Sequence, residues 1–304
     1  MHNLNVSLVM TLTGHQNPIF ALENSLDQTM LYSGGNDRGV VEWDLATGKF
    51  NRILCAVPAS VYALCLLKDS GLLAIGMRNS EIWLVDVDKQ QLVKKLYVEK
   101  GAVFALRHLE DKKELLAIGE AGVAYVWNLD TYELVYNFRV SNTTVRTIEP
   151  SVDGKYLNFG DKDGHVYQLE SASFREVNRR KIHSMSITAL LATAENIFSG
   201  GRDAVLYKLV PSGLSPVQQV TPHLFTVYGI LKHPTSDIII TVSRDKSIKF
   251  WDMNTLSLLR NISMERGYDS HRLSINTAIY NAASNQLITA GDDKLIKLWR
   301  VEIA

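Results

Sequence analysis

Ser33, His15 and Asp37 are the three residue types of a nucleophilic triad, and they lie close together near the start of the chain. A hydroxyl activated by an imidazole that a carboxylate orients would perform acyl transfer, and such triads are recognised by geometry rather than chain order. A second constellation, "DKDGHVYQLE", sets Asp161, Asp163, Gly164 and Glu170 in the manner of a calcium loop. It lacks the further ligand spacing of an EF-hand, so no metal is expected there. His108 and His165 stand alone, without partners at zinc spacing. Cys55 and Cys65 form no CxxC pair and read as reduced core thiols. The chain has no P-loop, GxSxG or dinucleotide fingerprint, and no cofactor is expected.

The elements that must position the triad change its meaning. "SGGNDRGVVEWD" at 33 returns as "SGGRDAVLYKLV" at 199, "TVSRDKSIKFWD" at 241 and "TAGDDKLIKLWR" at 289. Weaker copies begin at 75, 118 and 159. Counting from Trp43, the units are marked by Trp43, Val85, Trp127, Leu169, Leu209, Trp251 and Trp299, at intervals of 42, 42, 42, 40, 42 and 48 residues. Six residues before each stands Asp37, Asn79, Ala121, Asp163, Asp203, Asp245 or Asp293. Further upstream a common column holds His15, Val57, Glu99, Ser141, His183, His223 and His271, so four of the eight histidines share one register. Repetition argues against catalysis, because an enzyme needs one preorganised site with a pocket, not several similar constellations.

Within a unit the apolar period is two, as in "VVEW", "AYVW" and "SIKFW", and the turns carry Gly, Asn or Asp. Four short strands per unit with a spacing of ~40–45 residues is the signature of a propeller. No segment reads as an amphipathic helix. Lys plus Arg (32) balances Asp plus Glu (32), so no long-range field steers the chain toward nucleic acid or an anionic membrane. Apolar runs are far short of a membrane span, and "MHNLNVSLVM" lacks a basic leader segment. A cytoplasmic location is the expectation.

On these repeats the chain resembles the WD-repeat family. Gly14-His15 with Asp37 and Trp43-Asp44, and His223 with Asp245 and Trp251-Asp252, match its GH…D…WD pattern. Units two to four lack the histidine, and unit four keeps only Asp163. The resemblance implies an all-β, seven-bladed β-propeller of four-stranded antiparallel blades, one domain over residues 1–304. Only "RVEIA" follows Trp299, so the N-terminal strand is expected to pair into the last blade and close it. The resemblance also implies that Asp bonds His, His contacts Ser or Thr, and the hydroxyl meets the Trp indole. The sets are His15-Ser33-Asp37-Trp43, His223-Thr241-Asp245-Trp251, His271-Thr289-Asp293-Trp299, and His183-Ser199-Asp203 ending at Leu209. In units two to four Trp83, Tyr125 and Tyr167 are expected to supply packing instead.

Function is then expected at one rim, around the top face and channel mouth implied by the family. The residues before the turn-aspartate column include Arg78, Lys162, Arg202 and Arg244. Five residues after the histidine column stand Phe20, Tyr62, Phe104, Arg146 and Tyr228, the residue types of binding hot spots. The connection from Trp251 to His271 is six residues longer than that from Trp43 to Val57, and offers Arg266 and Tyr268. The reading is a non-enzymatic scaffold, a monomeric ring within a larger assembly, for a protein or acidic or phosphorylated peptide. The alternatives are a propeller enzyme with a site at the channel mouth and, less favoured by the neutral charge, a nucleic-acid or chromatin-associated propeller.

Overall fold

Each repeat folds into one four-stranded antiparallel sheet, and the computed structural model describes residues 4–303. In the first repeat the strands Ile19–Asn24, Met30–Gly35, Gly39–Asp44 and Lys49–Ala56 pair in chain order. Five further sheets follow the same order. The seventh joins Ile275–Asn281, Gln286–Gly291 and Ile296–Ile303 to the N-terminal strand Leu4–Leu12. The fold is an all-β, seven-bladed propeller of four-stranded antiparallel sheets in which the first strand pairs with the last. Helical structure among the described residues is limited to the 3-10 turns Glu110–Lys112, Ser212–Leu214 and Met264–Arg266.

Two repeated turns set the register. Between the second and third strands, Arg38, Ser80, Gly122, Gly164, Ala204, Lys246 and Lys294 all have positive φ, from 58 to 87°. Only two of these are glycine, and both are needed: a Cβ on Gly122 or Gly164 would lie 2.3 Å from the Ser141 carbonyl oxygen or 2.1 Å from that of His183. Between the third and fourth strands, Asp44, Asp86, Asn128 and Asp252 each accept the N–H groups two and three residues on, at 2.7 to 3.1 Å. These are Asx turns, which give the aspartate after the tryptophan column a purely local role.

The chain divides into two compact units. The first, Met10–Val145 with Lys294–Ile296, holds sheets one to three. In it Tyr32, Val40 and Leu54 pack with Val61, Leu73, Ile75 and Met77, and Ile82, Leu84 and Leu96 with Leu106, Leu115, Tyr125 and Trp127. The second unit contains Arg146–Asp293. Here Phe198 and Leu206 pack with Val227, Ile239 and Trp251, and Phe250 and Ile262 with Ile275, Leu287, Trp299, Leu4 and Val6. Each fully buried aliphatic or Phe side chain contributes about 1.5–3 kcal/mol.

Candidate functional site

The triad types do meet, but inside the first sheet. His15 Nδ1 lies 2.6 Å from Asp37 Oδ2, its Nε2 lies 2.7 Å from Ser33 Oγ, and the Trp43 indole N–H donates to the same oxygen at 2.7 Å. His223 repeats this with Asp245, Thr241 and Trp251 at 3.0, 2.8 and 2.9 Å, and His271 with Asp293, Thr289 and Trp299 at 2.9, 2.8 and 3.0 Å. His183 meets Asp203 and Ser199 at 2.8 and 2.9 Å, and Tyr207 takes the tryptophan's place against it, edge-on at 4.8 Å.

One direction of donation satisfies every group: indole N–H to hydroxyl, hydroxyl to Nε2, Nδ1–H to carboxylate. The carboxylate also accepts the backbone N–H after the histidine, at Gln16, Ser184, Leu224 and Arg272. Ser33, Ser199, Thr241 and Thr289 are completely buried, so no substrate reaches them. Burial holds His15 and His223 below the ordinary histidine range. Burial alone would push the Asp245 carboxyl up, but the bonds from His223, Ser247 and the Leu224 N–H outweigh it and hold the group well down. A neutral imidazole donating to a carboxylate is consistent with both. Burial also pushes the Cys65 thiol up to about 12 and Cys55 to about 11, which leaves neither a ready nucleophile.

Sheets two to four solve the same problem differently. The Trp83 indole donates to Glu81 at 2.7 Å, under the Lys95 ammonium. The Tyr125 hydroxyl accepts the Glu99 N–H at 3.1 Å, and its ring stacks on Trp127. In sheet four the register puts Asp163 in the turn-aspartate column, yet that residue is exposed. Asp161 is buried instead: it accepts the Tyr167 hydroxyl at 2.9 Å and the N–H groups of Asp163 and His165 at 3.0 and 2.8 Å. The calcium-like loop is thus a buried polar clamp. Beside it an amide ladder crosses three strands, Asn178 to Gln168 at 2.8 Å and Gln168 to Asn158 at 3.2 Å. Nothing in the repeat register marks that ladder.

The rim columns prove to be joined by backbone geometry. Pairing of first with second strand skips one residue in each of six sheets, namely Phe20, Tyr62, Phe104, Thr188, Tyr228 and Asn276. A β-bulge frees the extra residue from the ladder and re-aims its side chain. The N–H of the rim residue closes the same end of the sheet: Asn36 to the Pro18 carbonyl at 2.9 Å, Arg78 to Ser60 at 3.0 Å, Arg202 to Ser186 at 2.7 Å, Arg244 to Thr226 at 3.1 Å. In the first unit the bulge residues form a ladder, Phe20 to Tyr62 with ring centroids 5.4 Å apart and Tyr62 to Phe104 at 5.3 Å and 28°. All three rings are half-buried, and Arg78 is exposed. In the second unit Arg146, Lys162, Arg202 and Arg244 are exposed and Tyr228 is half-buried. Arg244 lies 5.8 Å from the ring of exposed Phe225. In the long connection Arg266 is exposed, whereas Tyr268 turns back onto the core of the sixth and seventh sheets.

A WD40 family model, "WD domain, G-beta repeat", matches residues 6–44, 214–252 and 263–300. These segments carry Trp43, Trp251 and Trp299, the three complete four-residue sets. The chain is a seven-bladed β-propeller, three of whose repeats match the WD40 model. It is 26% identical to a nuclear distribution protein nudF of Aspergillus niger over 74% of this chain and 57% of that protein. It is 24% identical to nudF of Emericella nidulans over 95% of this chain and 60% of that protein, and 23% identical to a 66 kDa stress protein of Physarum polycephalum over 96% and 48%. The chain thus spans about half to three fifths of the length of these relatives. Propellers built of WD40 repeats generally serve as scaffolds for protein interaction. Among the described residues no His, Cys, Asp and Glu cluster is disposed to hold a metal.

Proposed function

We propose that this WD40 propeller captures a protein or peptide segment on the face that carries the turns between second and third strands. The observation that carries the reading is the Phe20-Tyr62-Phe104 ladder, presented by three successive bulges and left half-exposed. Aromatic and arginine side chains dominate binding hot spots because they bury large area at low entropic cost. Arg78, Lys162, Arg202 and Arg244 are exposed and in no ion pair among the described residues. Such a set favours an acidic or phosphorylated segment. A cytoplasmic location belongs to the same proposal.

The test is affinity capture from the native host with quantitative mass spectrometry. The double variant Phe20→Ala/Tyr62→Ala is expected to lose the captured partners while its unfolding midpoint shows it folded. Arg202→Ala/Arg244→Ala is expected to weaken capture and flatten its salt dependence. Full retention by both variants would move the interface elsewhere.

A further inference from the structure

The third strands carry one column that the polar sets do not use. Two residues before the Trp43 column, and hence on the same sheet face, stand Val41, Trp83, Tyr125, Tyr167, Tyr207, Lys249 and Lys297. Six of the seven are long side chains: five end in a hydrogen bond, and the Tyr207 ring packs edge-on against His183. The Lys249 ammonium donates to the Pro222 carbonyl at 2.6 Å, and the buried Lys297 to the Asp269 carbonyl at 2.9 Å. Val41 alone is short, and a cavity of about 420 Å³ opens beside it, lined by Gly14, Asp37, Trp43, Phe50 and Ile53 among others.

The neighbouring fourth strand is also different here. Opposite Trp83, Tyr125, Tyr167, Tyr207 and Lys249 stand the polar residues Lys95, Asn137, Arg179, Gln219 and Asn261. Opposite Val41 stands Ile53, which is 60% exposed, and Phe50 beside it is 52% exposed. Each of those five pairings carries one irregularity, at the Trp43-column position; sheet one has that and a second between Val40 and Val41. The extra bulge turns the strand at the edge of the cavity. A vacated place, exposed apolar walls and a local bulge therefore coincide.

The chain's own copies indicate what fits. Sheets with an aromatic residue in this column lack the complete His-hydroxyl-Asp-Trp set, whereas sheets six and seven have the set and a lysine. Sheet one has the set and no lysine. Gly14 precedes His15 as Pro222 precedes His223, so its carbonyl is the counterpart of the one that holds the Lys249 ammonium. At present it is bonded at 3.2 Å by the exposed Gln16 side-chain amide, a donor that an ammonium can displace.

We propose that this cavity is a slot for a lysine side chain presented by a partner protein, with the alkyl stem on the exposed Phe50 and Ile53 side chains and the ammonium on the Gly14 carbonyl. The Asp37 carboxylate and the exposed Arg38 guanidinium both border the slot, so selectivity rests on the carbonyl and the apolar walls rather than on net charge. The slot is separate from the Phe20-Tyr62-Phe104 ladder and does not depend on it.

The probe is Nα-acetyl-lysine methylamide, compared with its norleucine analogue, which keeps the stem and lacks the ammonium. Binding is read from the NMR signal of the Trp43 indole N–H, assigned by its loss in Trp43→Phe. The lysine probe is expected to shift this signal saturably at millimolar concentration. The norleucine probe should bind at least about ten-fold more weakly, the worth of one charge-assisted hydrogen bond. Val41→Lys fills the slot with the chain's own lysine and should abolish the shift, while Phe20→Ala/Tyr62→Ala should leave it intact. No shift with the lysine probe, or equal binding of the norleucine probe to the wild-type protein, overturns the proposal whether or not Val41→Lys folds. An undiminished shift in folded Val41→Lys overturns it as well.

Discussion

In sheet six, His223, Thr241, Asp245 and Trp251 form one chain of donors and acceptors. In sheet four the same columns hold Ser141, Phe159, Asp163 and Leu169, and the buried polar contacts are made by Asp161, Tyr167 and an amide ladder. The turns are nevertheless alike, with φ of 70° at Lys246 and 87° at Gly164. The left-handed turn and the strand pairing do not need the histidine set. That set is one of several ways to satisfy buried polar atoms on a common backbone, and an unsatisfied one is what each sheet must avoid.

The largest expected effect comes from removing a strand rather than a polar set. Deleting Leu4–Leu12 takes Leu4, Val6 and Leu12 out of the core, at about 1.5–3 kcal/mol each, and bares the edge of Ile296–Ile303. Thermal unfolding should show a strongly lowered midpoint, with aggregation through the new edge. An unchanged midpoint would mean that the last sheet stands with three strands.

Next come the aspartates of the two contrasted sheets. Asp245→Ala strips acceptors from His223, Leu224 and Ser247 and should cost about 1–3 kcal/mol. Asp163→Ala, in the same column, should cost almost nothing, while Asp161→Ala should cost about as much as Asp245→Ala. Chemical denaturation of the three variants checks this. Equal loss from Asp163→Ala and Asp245→Ala would mean that the column, not the hydrogen bonding, decides.

The repeat spacing, the four histidine sets and the bulge column were legible because each is a residue type recurring at fixed intervals, such as His15, His183, His223 and His271. The transfer from Asp163 to Asp161 was not. Two acidic residues sit two apart in "DKDG", and only the turn conformation decides which one points inward. The Asn158-Gln168-Asn178 ladder was hidden for a related reason: cross-strand neighbours ten residues apart share no local pattern until the register is known. The gap at Val41 is present in its column, but a valine in a strand reads as ordinary until its six counterparts are seen to be long. In the rim, the sequence showed which residues share a column and not that Phe20, Tyr62 and Phe104 touch.

A smaller effect follows from titration of the sets. Burial depresses the folded-state affinity of His15 and His223 for protons below that of the unfolded chain, whose ordinary value is 6.5. The folded protein then binds fewer protons than the unfolded one, so stability is lost as pH falls below about 6.5. His108 and His233 are depressed by burial too and act in the same direction. The unfolding midpoint should therefore fall between pH 7.5 and 5.5, and His223→Gln should reduce that fall relative to wild type. A midpoint that rises on acidification would require the imidazoles to be charged in the folded state.

The smallest effect separates the turn aspartates from the sets beside them. In sheet three Asn128 accepts the N–H groups of Asp130 and Thr131, both at 2.9 Å, with an uncharged amide. In sheet two Asp86 accepts those of Asp88 and Lys89 at 3.1 and 2.9 Å and also pairs with the exposed Lys89 ammonium. If the oxygen geometry is what matters, Asp86→Asn should be nearly neutral and Asp86→Ala should lower the unfolding midpoint slightly but measurably. An exposed ion pair of this kind contributes little, and its share should vanish at high salt. Urea denaturation of both variants at low and high salt distinguishes the two contributions. A cost for Asp86→Asn equal to that of Asp86→Ala at low salt, and lost at high salt, would assign the turn to charge, contrary to what Asn128 accomplishes without one.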